Sequence, residues 1–360
     1  MHIPDGYLSP STCATLYVAA MAGWYAALKR LKHFLLSRVV PLISVFAAFA
    51  FVVMMFNLPL PGGTTGHAVG VTIAAIVLGP SGAILSISIA LTLQALFFGD
   101  GGITTLGANC FNMAIVSSLI AYVTYRLLAA GASIASKRRV AAAAVAGYVA
   151  VNAAALVAAV EFGIQPLLFH DAAGTPLYAP YPFSVALPAM MIGHLTFAGL
   201  AEALISAGLV TYLQVADPSL LQSTSGIPAS REELPMATPV QANSQRRLWL
   251  AVALLMLLTP LGILAAGTAW SEWSPSEFAN ARSKGQIAAT ANVPRGTIPS
   301  GMQRLANLWT APFPAYAPSF VKSVGFGYLL SAMLGVGFLL ALSLLVQRYI
   351  ERRRATRCSG

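Results

Sequence analysis

Long apolar stretches constrain this chain more than any other feature of its sequence. A helix needs about 20 apolar residues to span a bilayer, and nine stretches approach or exceed that length. Of the 360 residues, 57% are hydrophobic and 9% are charged, whereas soluble domains carry about 25% charged residues. The sequence therefore predicts a membrane protein, with spans near 11–28, 39–57, 66–79, 82–98, 106–128, 140–161, 185–213, 248–266 and 325–347.

The predicted fold class is an all-α polytopic membrane protein, a seven-helix bundle followed by two additional transmembrane helices. The third stretch is short for a membrane span, and only Gly79, Pro80 and Ser81 separate it from the fourth. We expect this third stretch to be tilted or partly re-entrant.

Basic residues predict which end of the chain faces the cytoplasm, because cytoplasmic loops carry an excess of Lys and Arg. With the N-terminus outside, the 21 Lys and Arg residues divide 16 to 5 in favour of the inner segments, and the outer five share one long loop. We predict an N-out, C-in topology. The net charge of +10 then reflects topology and does not indicate nucleic acid binding.

The first two residues offer three nitrogen donors. The α-amine of Met1, the amide nitrogen of His2 and the His2 imidazole can close two fused chelate rings around one ion. Planar nitrogen ligation favours Ni(II) or Cu(II) over Mg, Ca or tetrahedral Zn. The best fourth donor is His67, in a Gly- and Thr-rich loop that the predicted topology places on the same outer side.

The beginning of the chain is expected to present this chelating group to the bundle. No basic residue precedes Lys29, so we expect no cleaved signal peptide and a free amine at Met1. Pro4 and the Asp5-Gly6 pair predict a turn that folds the terminus back.

Five more polar residues lie in or beside the predicted spans. Gln94 precedes a Gly-rich outer hairpin, and Asn109 and Asn112 follow it three residues apart, on one face of a helix. We expect these amides to pack or to support the metal ligands. His194 and Glu202 lie in the seventh span, where an ionisable side chain is costly and suggests a function. We expect His194 to be a packing residue more than a ligand, and Glu202 either to pair inside the bundle or to contact a partner subunit.

The chain divides into three predicted parts. Residues 1–215 form a seven-span metal-binding unit. Residues 216–247 are polar and rich in Pro, Ser and Gln, as is typical of a cytoplasmic linker. Residues 248–360 form a two-span unit with a long outer loop that carries Trp270, Trp273 and Trp309.

Three sequence blocks, taken in order, resemble a known family. They are the opening MHIPDG, His67 in its loop, and the block from Gln94 to Met113. Together they resemble the CbiM/NikM family, the substrate-binding membrane components of energy-coupling-factor transporters for cobalt and nickel. Residues 248–360 are similar to the small two-span N subunit of these transporters, fused here to the C-terminus, by their segments 257–262, 270–273 and 316–318.

The resemblance implies a function, a site and partners. The chain would capture Ni(II) or Co(II) as transported substrate in the bacterial plasma (inner) membrane, with the Met1 amine and amide region, His2 and His67 as ligands. A separate scaffold transmembrane subunit and two cytoplasmic ATPases would be its partners. The sequence agrees, because no G-x-x-x-x-G-K-[ST] motif for ATP occurs in it.

Two other function classes stay open from the residues themselves. A membrane-bound metalloenzyme is disfavoured, because no HExxH motif occurs and no second cluster supplies a general base beside the histidines. A membrane channel or metal sensor is the other alternative.

Overall fold

The protein is described by a computed structural model for residues 1–31, 39–60, 64–224, 242–265, 277–291, 298–318 and 320–358. Five of the described helical stretches are long and apolar enough to cross a membrane, at Val71–Phe98, Leu106–Leu128, Lys137–Leu168, Phe183–Ala216 and Val324–Tyr349. Two shorter apolar helices are Val39–Met54 and Leu248–Gly262. The chain is therefore a multi-pass helical membrane protein. The count of nine spans and the N-out orientation stay predictions.

The helices follow the predicted apolar stretches closely. They are α1 (Pro10–Leu31), α2 (Val39–Met54), α3 (Val71–Leu93), α4 (Leu106–Asn109), α5 (Ser117–Leu128), α6 (Lys137–Leu168), α7 (Phe183–Gly193), α8 (Gly199–Ala216), α9 (Ala242–Leu258), α10 (Ala281–Ala291), α11 (Ser300–Leu305) and α12 (Val324–Cys358). One short antiparallel hairpin departs from the all-α expectation. Its strands β1 (Leu58–Leu60) and β2 (Thr64–Gly66) pair with Leu58 opposite Gly66.

Helix α3 is broken at Gly79, which has φ 73° and ψ 172° and is followed by Pro80 inside the helix. A straight helix over the 28 residues Val71–Phe98 would be about 40 Å long. Yet His67, just before this helix, and Asp100, just after it, both contact His2. The chain must therefore reverse at the break, so the two stretches predicted on either side of Gly79 return to the same place.

Close packing of small residues holds the bundle together, as is usual for membrane helices. In α6, a Cβ added at Gly147 would lie 2.9 Å from the Ser206 Oγ atom of α8. In α12, a Cβ added at Gly335 would lie 2.2 Å from the Phe51 ring of α2. The C-terminal helix thus packs directly on the N-terminal bundle.

Three π-helical turns interrupt the spans, at Gln94–Phe98, Cys110–Val116 and His194–Ala198. Such turns redirect side chains and often occur at functional sites. Each carries a predicted polar candidate, namely Gln94, Asn112 or His194. Most of the predicted linker (225–241) and the residues Trp270 and Trp273 lie outside the described residues.

Candidate metal centre

The N-terminal segment is buried inside the bundle. Met1 and His2 are each 3% exposed and Ile3 is fully buried. The Asn109 side-chain amide makes two hydrogen bonds to the main chain of Ile3. Its Oδ1 accepts from the Ile3 N–H at 2.8 Å, and its Nδ2 donates to the Ile3 carbonyl at 3.1 Å. The terminus is therefore folded back, as the turn residues predicted.

The Gly-rich block after Gln94 forms the cradle for this segment. The Gly102 N–H donates to the Ile3 carbonyl at 2.9 Å, and the Asp5 carboxylate accepts from the N–H groups of Ile103 at 3.1 Å and Thr104 at 2.7 Å. A Cβ at Gly102 would lie 2.3 Å from the Asp5 nitrogen. Glycine is required there because two stretches of main chain lie in direct contact.

The structure brings His2 and His67 together. Their rings are stacked with centroids 4.8 Å apart and planes 24° apart, and both residues are buried. His67 donates from Nδ1 to the Ala68 carbonyl at 3.0 Å, and its Nε2 has no hydrogen-bond partner among the described residues. This is the arrangement expected of a ligating histidine, whose second ring nitrogen is held by an oxygen.

Asp100 lies against His2, with its Oδ1 atom 2.9 Å from the His2 Nδ1. Its Oδ2 atom accepts from the Tyr316 hydroxyl at 2.6 Å. Burial alone would raise the pKa of Asp100, but His2 and the hydrogen bonds from His2 and Tyr316 hold this pKa well below its usual range. The site therefore contains a permanent negative charge beside the predicted chelating residue.

Electrostatics keep the His67 imidazole in its neutral form. Burial, followed by the neighbouring His2 and the Met1 amine, lowers the pKa of His67 well below its usual value. The ring is therefore neutral at physiological pH, and only neutral imidazole binds metal.

Glu202 fixes the segment that carries His67. Its fully buried carboxylate accepts from the N–H groups of Val69 and Gly70, both at 2.8 Å, and of Thr72 at 3.3 Å. Of the two alternatives that the sequence left open, the structure therefore places Glu202 inside the bundle.

The remaining predicted candidates have separate partners. Gln94 donates to the Tyr316 hydroxyl at 2.9 Å and Asn112 donates to the Glu161 carboxylate at 2.8 Å. His194 is fully buried, and its Nδ1 donates to the Met190 carbonyl at 2.7 Å. Its Nε2 has no hydrogen-bond partner in the part of the chain that the structure describes.

The described residues contain no group of three or more His, Cys, Asp and Glu side chains placed to hold a metal ion. The predicted donor set needs no such group, because two of its four nitrogens belong to the main chain at Met1 and His2. The predicted set needs only the His2 and His67 imidazoles to lie close together, and their ring centroids are 4.8 Å apart.

Sequence reasoning missed Asp100 and Tyr316. Asp100 stands in the Gly-rich block beside Gly99 and Gly101. Its charge on the predicted outer side, with both histidines, was the signal that could have identified it. Tyr316 gave no comparable signal, because 216 positions separate it from the Asp100 carboxylate that it binds.

Comparisons with known proteins show the family to which this chain is related. The family described as "Cobalt uptake substrate-specific transmembrane region" (CbiM) matches residues 2–220. The fused nickel transport protein NikMN of Rhodobacter capsulatus is 51% identical over 343 residues, which cover 95% of each chain. The cobalt transport protein CbiM of Ruminiclostridium cellulolyticum is 36% identical over 35% of this chain and 52% of that protein.

A solved structure is also similar. The crystal structure of a transition metal transporter is 51% identical, with a TM-score of 0.56, and the match covers 59% of this chain and 92% of the solved one. The family model matches more than half of the chain, and one transport protein is 51% identical over 95% of it. The chain therefore belongs to the CbiM family, described as cobalt uptake substrate-specific transmembrane regions.

Proposed function

We propose that this chain is the substrate-capture membrane component of an ATP-driven energy-coupling-factor importer for Ni(II) or Co(II). The ion is held by the Met1 amine, the His2 amide nitrogen, the His2 imidazole and the His67 Nε2 atom. The observation that carries the proposal is the buried contact between the His2 and His67 rings, 4.8 Å apart. The names of the relatives, which are nickel and cobalt transport proteins, support the choice of ion.

Charge balance supports this donor set. A divalent cation bound to one deprotonated amide leaves one positive charge, and the Asp100 carboxylate beside His2 cancels it. An uncompensated charge in a buried site is strongly unfavourable. With both imidazoles neutral, the loaded centre carries no net charge, which suits an ion that has to pass through a membrane protein.

Ion capture requires the His2 ring to move. Only Nδ1 can close a chelate ring with the amide nitrogen of the same residue. In the structure Nδ1 contacts Asp100, while Nε2 has no hydrogen-bond partner within the described segments. We propose that the ring turns as the ion binds, so that Nδ1 faces the ion and the Nε2–H group takes over the hydrogen bond to Asp100. A carboxylate behind a ligating histidine is the usual support of a metal centre.

The planar donor set favours Ni(II), because square-planar nitrogen ligation suits this ion. Co(II) is the second substrate that the set can hold. The proposal also includes a scaffold transmembrane subunit and two cytoplasmic ATPases as partners, the N-out orientation, the bacterial inner membrane, and the division into residues 1–215, 216–247 and 248–360.

The proposal is tested first by nickel binding to the purified full chain, with its native N-terminus and a C-terminal tag. We expect one ion per chain, and loss of tight binding in His2→Ala and in His67→Ala. His170→Ala is the matched control, because His170 is an exposed outer-loop histidine away from the centre. Wild-type affinity in His2→Ala would overturn the donor set.

Transport itself is tested in cells that express this chain together with the scaffold and ATPase subunits. Nickel accumulation should depend on this chain and on ATP hydrolysis by the partners. Accumulation that is equal with and without the chain would overturn the transport function.

A further inference from the structure

The C-terminal unit reaches the metal centre through one side chain. Tyr316 is 5% exposed, donates its hydroxyl hydrogen to Asp100 Oδ2 at 2.6 Å and accepts from Gln94 Nε2 at 2.9 Å. The other oxygen of Asp100 contacts His2. A continuous chain of polar contacts therefore runs from Gln94 through Tyr316 and Asp100 to the chelating imidazole.

The backbone that delivers Tyr316 is strained. Ala315 and Tyr316 have φ values of 51° and 59°, and they are the only non-glycine residues with positive φ among those the structure describes. Such conformations are unfavourable for residues with a side chain and persist where the surroundings fix them, often at functional sites. Here Ser331 of α12 donates to the Tyr316 carbonyl at 3.0 Å, and Phe98 stacks on the Tyr316 ring with centroids 5.1 Å apart.

The segment before Tyr316 is attached to the same turn that leads into Asp100. Trp309 donates from its indole to the Leu96 carbonyl at 3.0 Å, and the Phe313 N–H donates to the Phe97 carbonyl at 2.9 Å. These contacts bring the outer loop of the C-terminal unit beside the residues that precede Asp100. Tyr316 is therefore held in register with the carboxylate that it binds.

The hydroxyl of Tyr316 is suited to be a permanent donor. Burial, and then the neighbouring Asp100 carboxylate, raise the pKa of Tyr316 well above its usual value. The hydroxyl therefore keeps its proton. Because its oxygen already accepts a hydrogen bond from Gln94, it donates this one hydrogen to a different partner. That partner is Asp100 Oδ2, which leaves Oδ1 for His2.

We propose that Tyr316 is a positioning residue of the metal centre, which orients Asp100 so that this carboxylate can hold the His2 imidazole in the chelate. The two-span C-terminal unit thus completes the support of a site whose donors all lie in the N-terminal unit. This inference rests on the proposed function, because it assumes that His2 binds the transported ion.

The test is nickel titration of the full chain by calorimetry, together with the d–d absorption band of the bound ion. Removing a residue that supports a metal ligand typically weakens binding by about 10–100-fold. We expect Asp100→Asn to fall in this range and Tyr316→Phe to weaken binding by about tenfold. The d–d band should shift in the same direction in both variants, because both release the His2 ring.

The double variant decides whether Tyr316 acts through Asp100. If it does, adding Tyr316→Phe to Asp100→Asn should change the affinity by less than about twofold. Leu308→Ala is the matched control, because it changes an exposed side chain of the same outer loop that is no part of the proposed chain of contacts. It should leave both the affinity and the absorption band unchanged.

Four outcomes are distinguishable. Wild-type affinity and spectrum in Tyr316→Phe would overturn the role of Tyr316 and leave the proposed function intact. Fully multiplicative losses in the double variant, or an equal loss in Leu308→Ala, would show a merely structural contribution of the loop and would also overturn it. Absence of nickel binding by the wild-type chain would overturn the proposed function itself.

A second variant covers the case in which Tyr316→Phe fails to fold. Gln94→Met removes the donor to the Tyr316 hydroxyl and keeps the length of the side chain. We expect a smaller loss of affinity, with the same spectral shift as Asp100→Asn. An unshifted band in this variant would contradict the proposed chain of contacts.

Discussion

The two segments that deliver the histidines are held in different ways. The N-terminal segment is fixed by many small contacts, among them those of Asn109 and Gly102 with Ile3. The His67 segment is fixed by one carboxylate, that of Glu202, which accepts from three main-chain N–H groups. We call the first attachment distributed, because several residues hold Ile3, and the second concentrated, because Glu202 alone provides the acceptor.

In the proposed metal centre, this difference follows from what each segment contributes. The N-terminal segment supplies main-chain donors, so its backbone has to be fixed atom by atom. The His67 segment supplies one side-chain nitrogen, so it is enough to fix the loop end at the start of α3. We therefore expect the distributed attachment to tolerate single substitutions and the concentrated one to fail at a single position.

The largest effect should come from blocking the amine itself. One residue added before Met1, or acetylation of Met1, removes the first donor of the chelate while leaving the histidines in place. We expect a loss of nickel affinity of at least about 4 kcal/mol, or a thousandfold, with unchanged circular dichroism and gel-filtration behaviour. Tight binding by the extended protein in a calorimetric titration would sink the chelate model.

The next largest effect should come from Glu202. Glu202→Ala leaves three buried N–H groups without their charged acceptor, and hydrogen bonds to charged groups are worth about 1.5–3 kcal/mol each. We expect about hundredfold weaker nickel binding, or nearly 3 kcal/mol, and a lower melting temperature in detergent.

Glu202→Gln is the matched variant, because it keeps the shape and one carbonyl acceptor. Its loss should be clearly smaller than that of Glu202→Ala. If both variants bind nickel as the wild type does, the His67 segment does not depend on Glu202 and the contrast between the two segments disappears.

A single change in the distributed attachment should cost less. Asn109→Ala removes two hydrogen bonds to Ile3, but the Gly102 N–H continues to bind the Ile3 carbonyl. Neutral hydrogen bonds contribute about 0.5–1.5 kcal/mol each, so we expect an affinity loss of about tenfold. A loss larger than that of Glu202→Ala, measured in the same titration, would reverse the comparison.

The smallest effect should be the pH dependence of stability that His67 introduces. Its folded pKa is lowered, and the unfolded value is about 6.5. The unfolded chain therefore binds the additional proton as the pH falls. Stability from neutral His67 is fully present above about pH 6.5 and is lost as the pH falls through the folded pKa.

The measurement is the melting temperature of the metal-free protein between pH 5 and 8. His67→Gln, which cannot titrate, should have a flatter profile than the wild type on the acidic side. Parallel profiles would show that His67 does not titrate differently on unfolding.

Much of the fold could be predicted because hydrophobic length and turn residues act locally. The Gly79-Pro80 pair predicted an interruption, and the structure places the break in α3 there. The meeting of His2 and His67 also followed from their predicted position on one side of the membrane. What could not be predicted were contacts between distant segments, such as Tyr316 with Asp100, because no local pattern encodes them.

The polar residues in the spans show the same limit of prediction from sequence, because burial can be predicted but hydrogen-bond partners cannot. Sequence identified Gln94, Asn109 and Asn112 as buried amides that need partners, and each has one. It could not say that Asn109 would hold the N-terminal main chain while Asn112 would pair with Glu161. Partner choice depends on how helices rotate against each other, which periodicity alone does not determine.

The chain reversal at Gly79 connects two helical segments, or arms, that lead to the same site. The loop before one arm carries His67 and the turn after the other arm carries Asp100. Among the described residues, a Cβ added at Gly79 would meet no atom of a packing neighbour within 4 Å. A displacement of the chain at this break would move the helical segments on both sides of Gly79 together. For the proposed ion centre, we therefore expect that movement at this far end of the hairpin would change the separation of His67 and Asp100 without any direct contact with the ligands.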